Sequence, residues 1–219
     1  MQNDYLNSIA KSGLFRFLDK KYYGTVWNEL NMTPKLYRRD QVICGQEEPV
    51  TKAAIVHSGR VRGERLHSEG TSSLAYIYEP GDIFSFEGAF SGKKTSPLNI
   101  TAEDDSIVIF MTVQNIFTSL HSKELTRGLL ELLANDDIKK LYRIETLSMK
   151  SLRSRIMSYL KILSAKNGGG TFEVEMSREQ LANYLCVNRS ALSNELSKMK
   201  QDGIIDFNKK VFKLIKYRK

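Results

Sequence analysis

Residues 176–205 decide the fold, and they read MSREQLANYLCVNRSALSNELSKMKQDGII. Ser177 is followed three residues later by Gln180, the spacing of a capping box, which predicts a helix that begins near Arg178. After a short interruption, Asn188 is a favourable N-cap for a second helix. Two short helices joined by a tight turn predict a helix-turn-helix, the motif whose second helix fits the major groove of DNA.

The second helix of this motif is predicted to have one buried and one exposed face. Leu192, Leu196 and Met199 recur at steps of four and three, as the apolar side of an amphipathic helix does. An ordinary pair of packed helices with a solvated outer face is the alternative. If the helix binds DNA, the residues expected to read bases are Arg189, Ser190, Ser193 and Asn194. The Arg189 fork suits O6 and N7 of guanine, and Asn194 could pair with adenine.

A hairpin is predicted after the second helix. Two β-like runs, 204–207 and 211–215, are separated by Asn208, Lys209 and Lys210, which is the pattern of a wing with lysines at its tip. Phosphate contacts are expected from Arg153, Arg178, Asn188, Lys209 and Lys210. Neutralising Lys210 is expected to weaken binding to all DNA sequences alike.

Positive charge is concentrated in the same part of the chain. Residues 150–219 hold 15 Lys and Arg against 6 Asp and Glu, whereas residues 1–149 hold 18 against 19. The confinement of a net charge of +9 to the C-terminal segment indicates a phosphate-binding surface. A membrane-surface role is less favoured, because no long basic amphipathic helix or lipidation signal accompanies the charge.

Cysteine content and hydropathy restrict the class further. Two cysteines provide neither a disulfide framework nor a four-ligand cluster for zinc or iron-sulfur. The chain has no signal-peptide core and no run near the ~18 apolar residues of a membrane span. A cytoplasmic protein is therefore expected.

The chain before the helix-turn-helix divides into a barrel and a long helix. Short β-rich runs between glycines spaced about eleven to fourteen residues apart predict an antiparallel sandwich or barrel over residues 1–113, with helices at its start. Residues 114–148 carry a broad apolar stripe, which predicts one long helix, broken near its start, that pairs with a twin in a homodimer. The predicted DNA-binding domain is 149–219, and the fold class is α+β.

These segments together resemble the Crp/Fnr family of bacterial transcription regulators. The resemblance is carried by Ile55 to Val61 (IVHSGRV), Glu79 to Phe84 (EPGDIF) and Asn188-Arg189-Ser190, and it extends over residues 14–215. It implies a jelly-roll-like double-stranded β-helix barrel, a dimerisation helix and a winged helix-turn-helix. It also implies a homodimer that binds a near-palindromic DNA site under the control of a small effector, and a contact with RNA polymerase if the protein is an activator.

The resemblance also locates the effector pocket. It implies pocket residues at Ser85, Phe86, Glu87, Ser96, Pro97 and Lys140. Family members that bind cyclic AMP carry a Gly-Glu pair and an Arg-Ser or Arg-Thr pair, and here these positions hold Ser85-Phe86 and Ser96-Pro97. Because a buried phosphate without a cation loses charge-assisted hydrogen bonds, cyclic AMP is not expected. Two alternatives stay open: another effector binds, or Phe86 and its neighbours fill the pocket.

Three further classes were weighed. A haem sensor would need a histidine with a second ligand, which draws attention to His57, His67 and His121, but surface or hydrogen-bonded imidazoles are the commoner outcome. A cupin-like metalloenzyme would need a His-x-His pair, which the chain lacks, and no hydrolase or nucleotide-binding motif occurs. An effector-independent protein-interaction module is the third class. Neither an enzyme nor a bound cofactor is expected.

Overall fold

The computed structural model describes residues 2–215, without the side chains of residues 2 and 3. Residues 216–219, the end of the predicted DNA-binding domain, lie outside the described residues, as does Met1. The chain divides into two compact units, Met1–Asn135 and Asp136–Lys219. This division lies inside the predicted dimerisation helix, and the domain boundaries predicted after residues 113 and 148 stay predictions.

Two four-stranded antiparallel sheets form the centre of the first unit. Their strand orders are β1-β8-β3-β6 and β2-β7-β4-β5. The strands are β1 Thr33–Tyr37, β2 Val42–Cys44, β3 Lys52–Ser58, β4 Val61–Leu66, β5 Ser72–Tyr78, β6 Ile83–Phe84, β7 Asn99–Ala102 and β8 Ser106–Thr112. Each sheet pairs strands that are distant in sequence, as a jelly roll does, so the predicted antiparallel fold is confirmed.

Helices cover one side of this β structure. Helices α1 Gln2–Lys11 and α2 Tyr23–Glu29 and the 3-10 turns Gly13–Phe15 and Lys20–Tyr22 precede the strands, and α3 Phe86–Phe90 follows β6. Six apolar residues of this N-terminal segment are buried in one cluster with residues of β3 and β8: Leu14, Phe15, Leu18, Val26, Trp27 and Leu30. The N-terminal segment is therefore part of the core of this unit.

The long helix α4 runs from Ser122 to Ser148, after a separate 3-10 turn at Val113–Ile116. The break near the start of the predicted 114–148 helix is thus real, and residues 117–121 are outside any helix. Gly128 lies directly against the N-terminal segment, since a Cβ built there would lie 2.0 Å from the Leu14 carbonyl oxygen. The absent side chain permits this close backbone approach.

The second unit contains three helices and a small sheet after the end of α4. The elements are α5 Leu152–Lys166, β9 Thr171–Glu173, α6 Arg178–Tyr184, α7 Arg189–Gln201, β10 Ile205–Asn208 and β11 Val211–Leu214, and the sheet order is β10-β11-β9. Helix α5 begins at Leu152 because Ser151 caps it, accepting from the Ser154 amide. Leu160, Leu181, Leu192 and Phe212 are among the buried residues of one core.

Candidate nucleic-acid interface

Two caps fix the helix-turn-helix. The Ser177 hydroxyl accepts from the Gln180 amide at 3.2 Å, and the Gln180 side-chain oxygen accepts from the Ser177 amide at 2.7 Å, so the predicted capping box is confirmed. Asn188 caps α7 through its Oδ1, which accepts from the Ala191 amide at 2.8 Å. Between the helices, Cys186 adopts a left-handed φ of 57° and closes the tight turn. These local bonds set the direction of α7 relative to α6.

Helix α7 has the two faces expected for a recognition helix. Leu192, Leu196 and Met199 are at most 1% exposed and pack in the core. On the other side Arg189 and Asn194 are exposed, and within residues 2–215 neither side chain has a hydrogen-bond or ion-pair partner. Their donors and acceptors are available to a ligand.

The two serines predicted to read bases differ in surroundings. The Ser190 hydroxyl is exposed and donates to Asn188 Oδ1 at 3.1 Å, so it reinforces the cap of the same helix. Ser193 is half-buried, and its carbonyl accepts from the Ser197 hydroxyl at 3.0 Å. The structure therefore places Arg189, Ser190 and Asn194 on the exposed surface of α7, whereas the side chain of Ser193 is more buried.

Arg153, a predicted phosphate contact, is held inside the second unit. Its Nε donates to Glu195 Oε1 at 2.5 Å and its Nη1 to Asp202 Oδ2 at 2.7 Å. These two bonds raise the pKa of the guanidinium. Because Glu195 lies in α7 and Asp202 caps its end, Arg153 links α5 to the recognition helix.

The predicted wing is present as the hairpin β10–β11. The Phe207 and Phe212 rings stack with centroids 5.2 Å apart, and β11 pairs antiparallel with β9. At the tip, Lys210 Nζ donates to the Glu175 carbonyl at 2.6 Å, whereas the Lys209 ammonium has no partner within the described residues. Of the two tip lysines predicted to bind phosphate, Lys210 is therefore hydrogen-bonded within the protein, whereas the Lys209 ammonium is open to a ligand.

Arg178, the first residue of α6, contacts the wing. Its guanidinium carbon lies 4.9 Å from the centroids of both Phe207 and Phe212, and its Nη2 donates to the Lys209 carbonyl at 2.9 Å. Burial lowers the pKa of this guanidinium. The structure thus places Arg178 between the helix-turn-helix and the hairpin.

Two further contacts in the second unit were missed by the sequence reasoning. Lys200, near the end of α7, donates to the Phe207 carbonyl at 2.9 Å and pairs with Asp206 at 2.7 Å. The Arg143 guanidinium carbon lies 4.6 Å from the Tyr184 ring centroid, and Tyr159 packs on that ring at 5.3 Å. No periodicity signals these pairs, since each joins residues whose neighbourhood only folding creates.

The predicted effector-pocket residues of the first unit lie around α3. Ser85 adopts a left-handed φ of 63° before α3, and Glu87 is half-buried in its first turn. Phe86 is 6% exposed and packs in the cluster that includes the N-terminal helices. Tyr78 and Phe84, in strands β5 and β6, belong to a different cluster from Phe86, and their ring centroids lie 5.4 Å apart.

The remaining pocket residues already have partners. The Ser96 hydroxyl, 1% exposed, donates to the Leu98 carbonyl at 2.6 Å, and the Pro97 carbonyl accepts from Arg65 Nη1 at 2.8 Å. Lys140 belongs to the second unit, where its ammonium pairs with Asp136 at 2.5 Å. Ser96 and Pro97 lie on one loop, and the cation bonded to that loop is Arg65 of β4.

Histidine positions match the hydrogen-bonded alternative. His57 Nδ1 lies 2.6 Å from the Ser8 hydroxyl, His67 Nε2 lies 3.1 Å from the Ser73 hydroxyl, and His121 packs on the Tyr22 ring. Over residues 2–215 no group of three or more His, Cys, Asp or Glu side chains is arranged to hold a metal ion.

Comparison with known proteins gives two family matches. Residues 154–218 match the Crp-like helix-turn-helix domain, and residues 34–122 match the cyclic nucleotide-binding domain. The nitrogen fixation regulation protein FixK of Rhizobium meliloti (strain 1021) is 27% identical over 170 residues, 77% of this chain and 76% of that protein. The transcriptional activator protein FnrL of Cereibacter sphaeroides is 24% identical over 181 residues, 77% and 71% of the two chains.

Solved structures share the fold over most of the chain. A CooA mutant from Carboxydothermus hydrogenoformans has a TM-score of 0.72 at 22% identity and covers 93% of this chain and 91% of its own. FixK2 from Bradyrhizobium japonicum has a TM-score of 0.65 at 23% identity, covering 85% and 93%. At these identities the likeness shows the fold. Within residues 2–215, no helix has the length and apolar character needed to cross a membrane.

Proposed function

The chain belongs to the Crp/Fnr family of transcription regulators, and from this premise we propose that it binds a near-palindromic DNA site as a homodimer, without cyclic AMP. The observation that carries the proposal is the exposed face of α7, where Arg189 and Asn194 are unpaired within the described residues, in the unit that also holds the wing with Lys209 and Lys210. Polar side chains without partners on the exposed face of a capped helix can form hydrogen bonds to base edges in the major groove.

Base reading is assigned to the N-terminal half of α7. The Arg189 guanidinium donates to O6 and N7 of a guanine, because its fork matches that pair of acceptors. Asn194, five residues further along the exposed side of the helix, pairs with an adenine edge. Ser190 and Ser193 make room for the bases, since both side chains are short and Ser190 already bonds to Asn188.

Phosphate binding is assigned first to Lys209, whose ammonium is unpaired within the described residues. Lys210 must share its ammonium with the Glu175 carbonyl, and the exposed Asn188 lies at the N-terminus of α7, where amide groups favour anions. For Arg153 and Arg178 the contacts support a different role. Each guanidinium already has partners inside the domain, so a phosphate would compete with them.

A second copy of the chain is proposed to cover the exposed apolar side of α4. Large apolar side chains along this 27-residue helix are 38–65% exposed: Leu130, Leu133, Ile138, Leu141, Tyr142 and Ile144. Parallel pairing of two such helices would bury them. A two-fold axis would then set two recognition helices about one DNA turn, roughly 34 Å, apart, which fits a near-palindromic site.

The effector, if one acts, is proposed to be a compound other than cyclic AMP. Ser96, at the position of the family arginine, is buried and bonded to Leu98, and Phe86 packs in the core. A Cβ at Gly63 would lie 3.2 Å from Tyr78 Cε2 and 3.3 Å from Ile100 Cδ1, so the barrel interior is filled there by its own side chains. We place the protein in the cytoplasm, in contact with RNA polymerase if it activates transcription.

Selection of binding sites from a random duplex library at one stated salt concentration tests the proposal. An inverted repeat with half-sites about one turn apart is expected. Recovery of salt-sensitive binding without a consensus would contradict the assignment of Arg189 and Asn194 to base reading. Parallel selections with and without cyclic AMP should give the same sites and the same yield, and an increase with the nucleotide would contradict the effector proposal.

A further inference from the structure

The Arg178 guanidinium contacts other residues of the DNA-binding domain. The guanidinium carbon lies 4.9 Å from two ring centroids, those of Phe207 and Phe212, and Nη2 donates to the Lys209 carbonyl. Arginine favours such sites because its planar group stacks on rings while its edge donates hydrogen bonds. Binding a phosphate in full would require the side chain to leave this half-buried position.

We propose that Arg178 is a positioning residue: it holds the wing against α6 so that the Lys209 ammonium is presented to the DNA backbone. The inference rests on the proposed role of the wing in DNA binding and deepens it. The capping box at Ser177 fixes the backbone position of Arg178, because both hydrogen bonds of that box are formed.

The backbone of the wing tip explains why an anchor is needed. Lys209 has a φ of 52°, in the left-handed region that residues other than glycine adopt at a cost. The hydrogen bond from Arg178 is made to the carbonyl of this same residue. Support of the strained residue from α6 keeps the turn, and with it the direction of the Lys209 side chain, in one conformation.

A second cation, Lys200, contacts strand β10 of the hairpin. Lys200 Nζ lies 5.1 Å from the Phe207 ring centroid, donates to the Phe207 carbonyl and pairs with Asp206. The wing is therefore tied to both helices of the helix-turn-helix, to α6 by Arg178 and to α7 by Lys200. We refer to Arg178, Lys200 and Phe207 as the wing anchor.

Hydrogen exchange of the DNA-free protein tests the anchor directly. Arg178→Lys keeps the charge but loses the fork, and amides of residues 205–214 are expected to exchange about tenfold faster while those of α7 keep their rates. Arg39→Lys, the same change at an exposed arginine of the first unit, is the matched control and should leave the wing unchanged. Unaltered wing exchange in Arg178→Lys would overturn the proposal.

A double-mutant cycle on DNA affinity separates anchoring from direct phosphate contact. Lys209→Ala removes the ammonium but keeps the carbonyl that Arg178 bonds. Arg178→Lys is expected to weaken binding about fivefold in the native background and less than about twofold in Lys209→Ala, because residues that act as a unit are not additive. Equal losses in both backgrounds would show that Arg178 binds the DNA itself and would overturn the proposal.

Failure of the proposed function gives a different pattern. If Lys209→Ala changes neither the affinity nor the salt slope, the wing does not contact phosphate and that part of the proposed function is wrong, while the exchange experiment still decides whether Arg178 orders the wing. If Arg178→Lys does not fold, Phe207→Leu serves instead, since it removes the ring and keeps apolar volume. It should accelerate the same amides, and normal wing exchange in that variant would overturn the anchor.

Discussion

The guanidinium carbon of Arg143 lies 4.6 Å from the centroid of the Tyr184 ring. Arg143 belongs to the last turns of α4 and Tyr184 ends α6, so the contact joins the long helix to the first helix of the helix-turn-helix within the second unit. Nearby, the buried Thr146 hydroxyl lies 3.2 Å from the Ser158 hydroxyl of α5. The end of the long helix is thus built into the DNA-binding domain.

Arg143→Leu is expected to lower the free energy of unfolding of the second unit by about 1 kcal/mol, because a partly buried cation–π contact is lost. Urea unfolding followed by circular dichroism measures the change. Trp27, the only tryptophan, lies in the first unit and reports that unit alone. Arg127→Leu, which removes a similar contact with Phe17, is the matched control and should shift the Trp27 signal, which Arg143→Leu should leave in place.

Arg189→Ala is expected to cost about 1–3 kcal/mol of DNA-binding free energy and to relax the preference at one base pair of each half-site. Titration of duplexes with each base at every position, at one salt concentration, measures both effects. Asn194→Ala is the companion variant and should relax a different base pair. An equal loss on every sequence after Arg189→Ala would place this side chain on phosphate.

Ile144→Glu is expected to convert the proposed dimer to monomer at micromolar concentration, because a carboxylate would be buried against its twin. Ile144 is 65% exposed in the single chain, so the monomer itself should stay folded. Sedimentation velocity measures the change. Leu66→Glu, at an exposed apolar residue of β4, is the control that should leave the mass unaltered. An unchanged mass for Ile144→Glu would remove α4 from the interface.

Gly128→Ala is expected to destabilise the first unit by about 3 kcal/mol, since the new Cβ would meet the Leu14 carbonyl oxygen and the two segments must separate. Trp27 fluorescence during urea unfolding measures the loss. Gly24→Ala is the matched control: a Cβ there meets nothing within 4 Å, and the change in α2 should stabilise by about 0.5–1 kcal/mol. Similar effects of the two variants would contradict the close approach.

Acid should weaken the first unit through Asp104. The hydrogen bond from Arg60 Nε, at 2.8 Å, lowers the pKa of this carboxyl below its ordinary value. A carboxyl with a lowered folded-state pKa stabilises the fold above its unfolded pKa of about 3.9, and the contribution is lost as the pH falls through the folded value. Asp104→Asn should therefore lower the free energy of unfolding measured by thermal denaturation at pH 6, by less than about 1 kcal/mol for this exposed pair, and have no effect near pH 2. A constant difference across that range would exclude the ion pair as its cause.

Features that depend on neighbours in sequence were predictable. The capping box at Ser177 and the cap at Asn188 require residues only three apart, and the apolar face of α7 follows from the helix period. The strands β3, β4, β5 and β8 were indicated by β-branched and aromatic runs. The two-residue β6 and the short β7 were not, because their pairing with β3 and β4 supplies what their own sequences lack.

The basic character of the C-terminal segment was predictable from sequence, whereas the contacts of its individual cations were not. Local sequence determined that the C-terminal segment is basic, that it forms a capped helix-turn-helix and that a hairpin follows, since charge count, caps and periodicity act over a few residues. Only the tertiary structure decided which cations remain open to a ligand. Arg153 and Arg178 meet partners 42 and 31 residues away, at Glu195 and at the Lys209 carbonyl, whereas the Lys209 ammonium meets none within the described residues. Such pairings arise because folding brings distant charges, rings and carbonyls within a few ångströms, and no pattern along the chain records that distance.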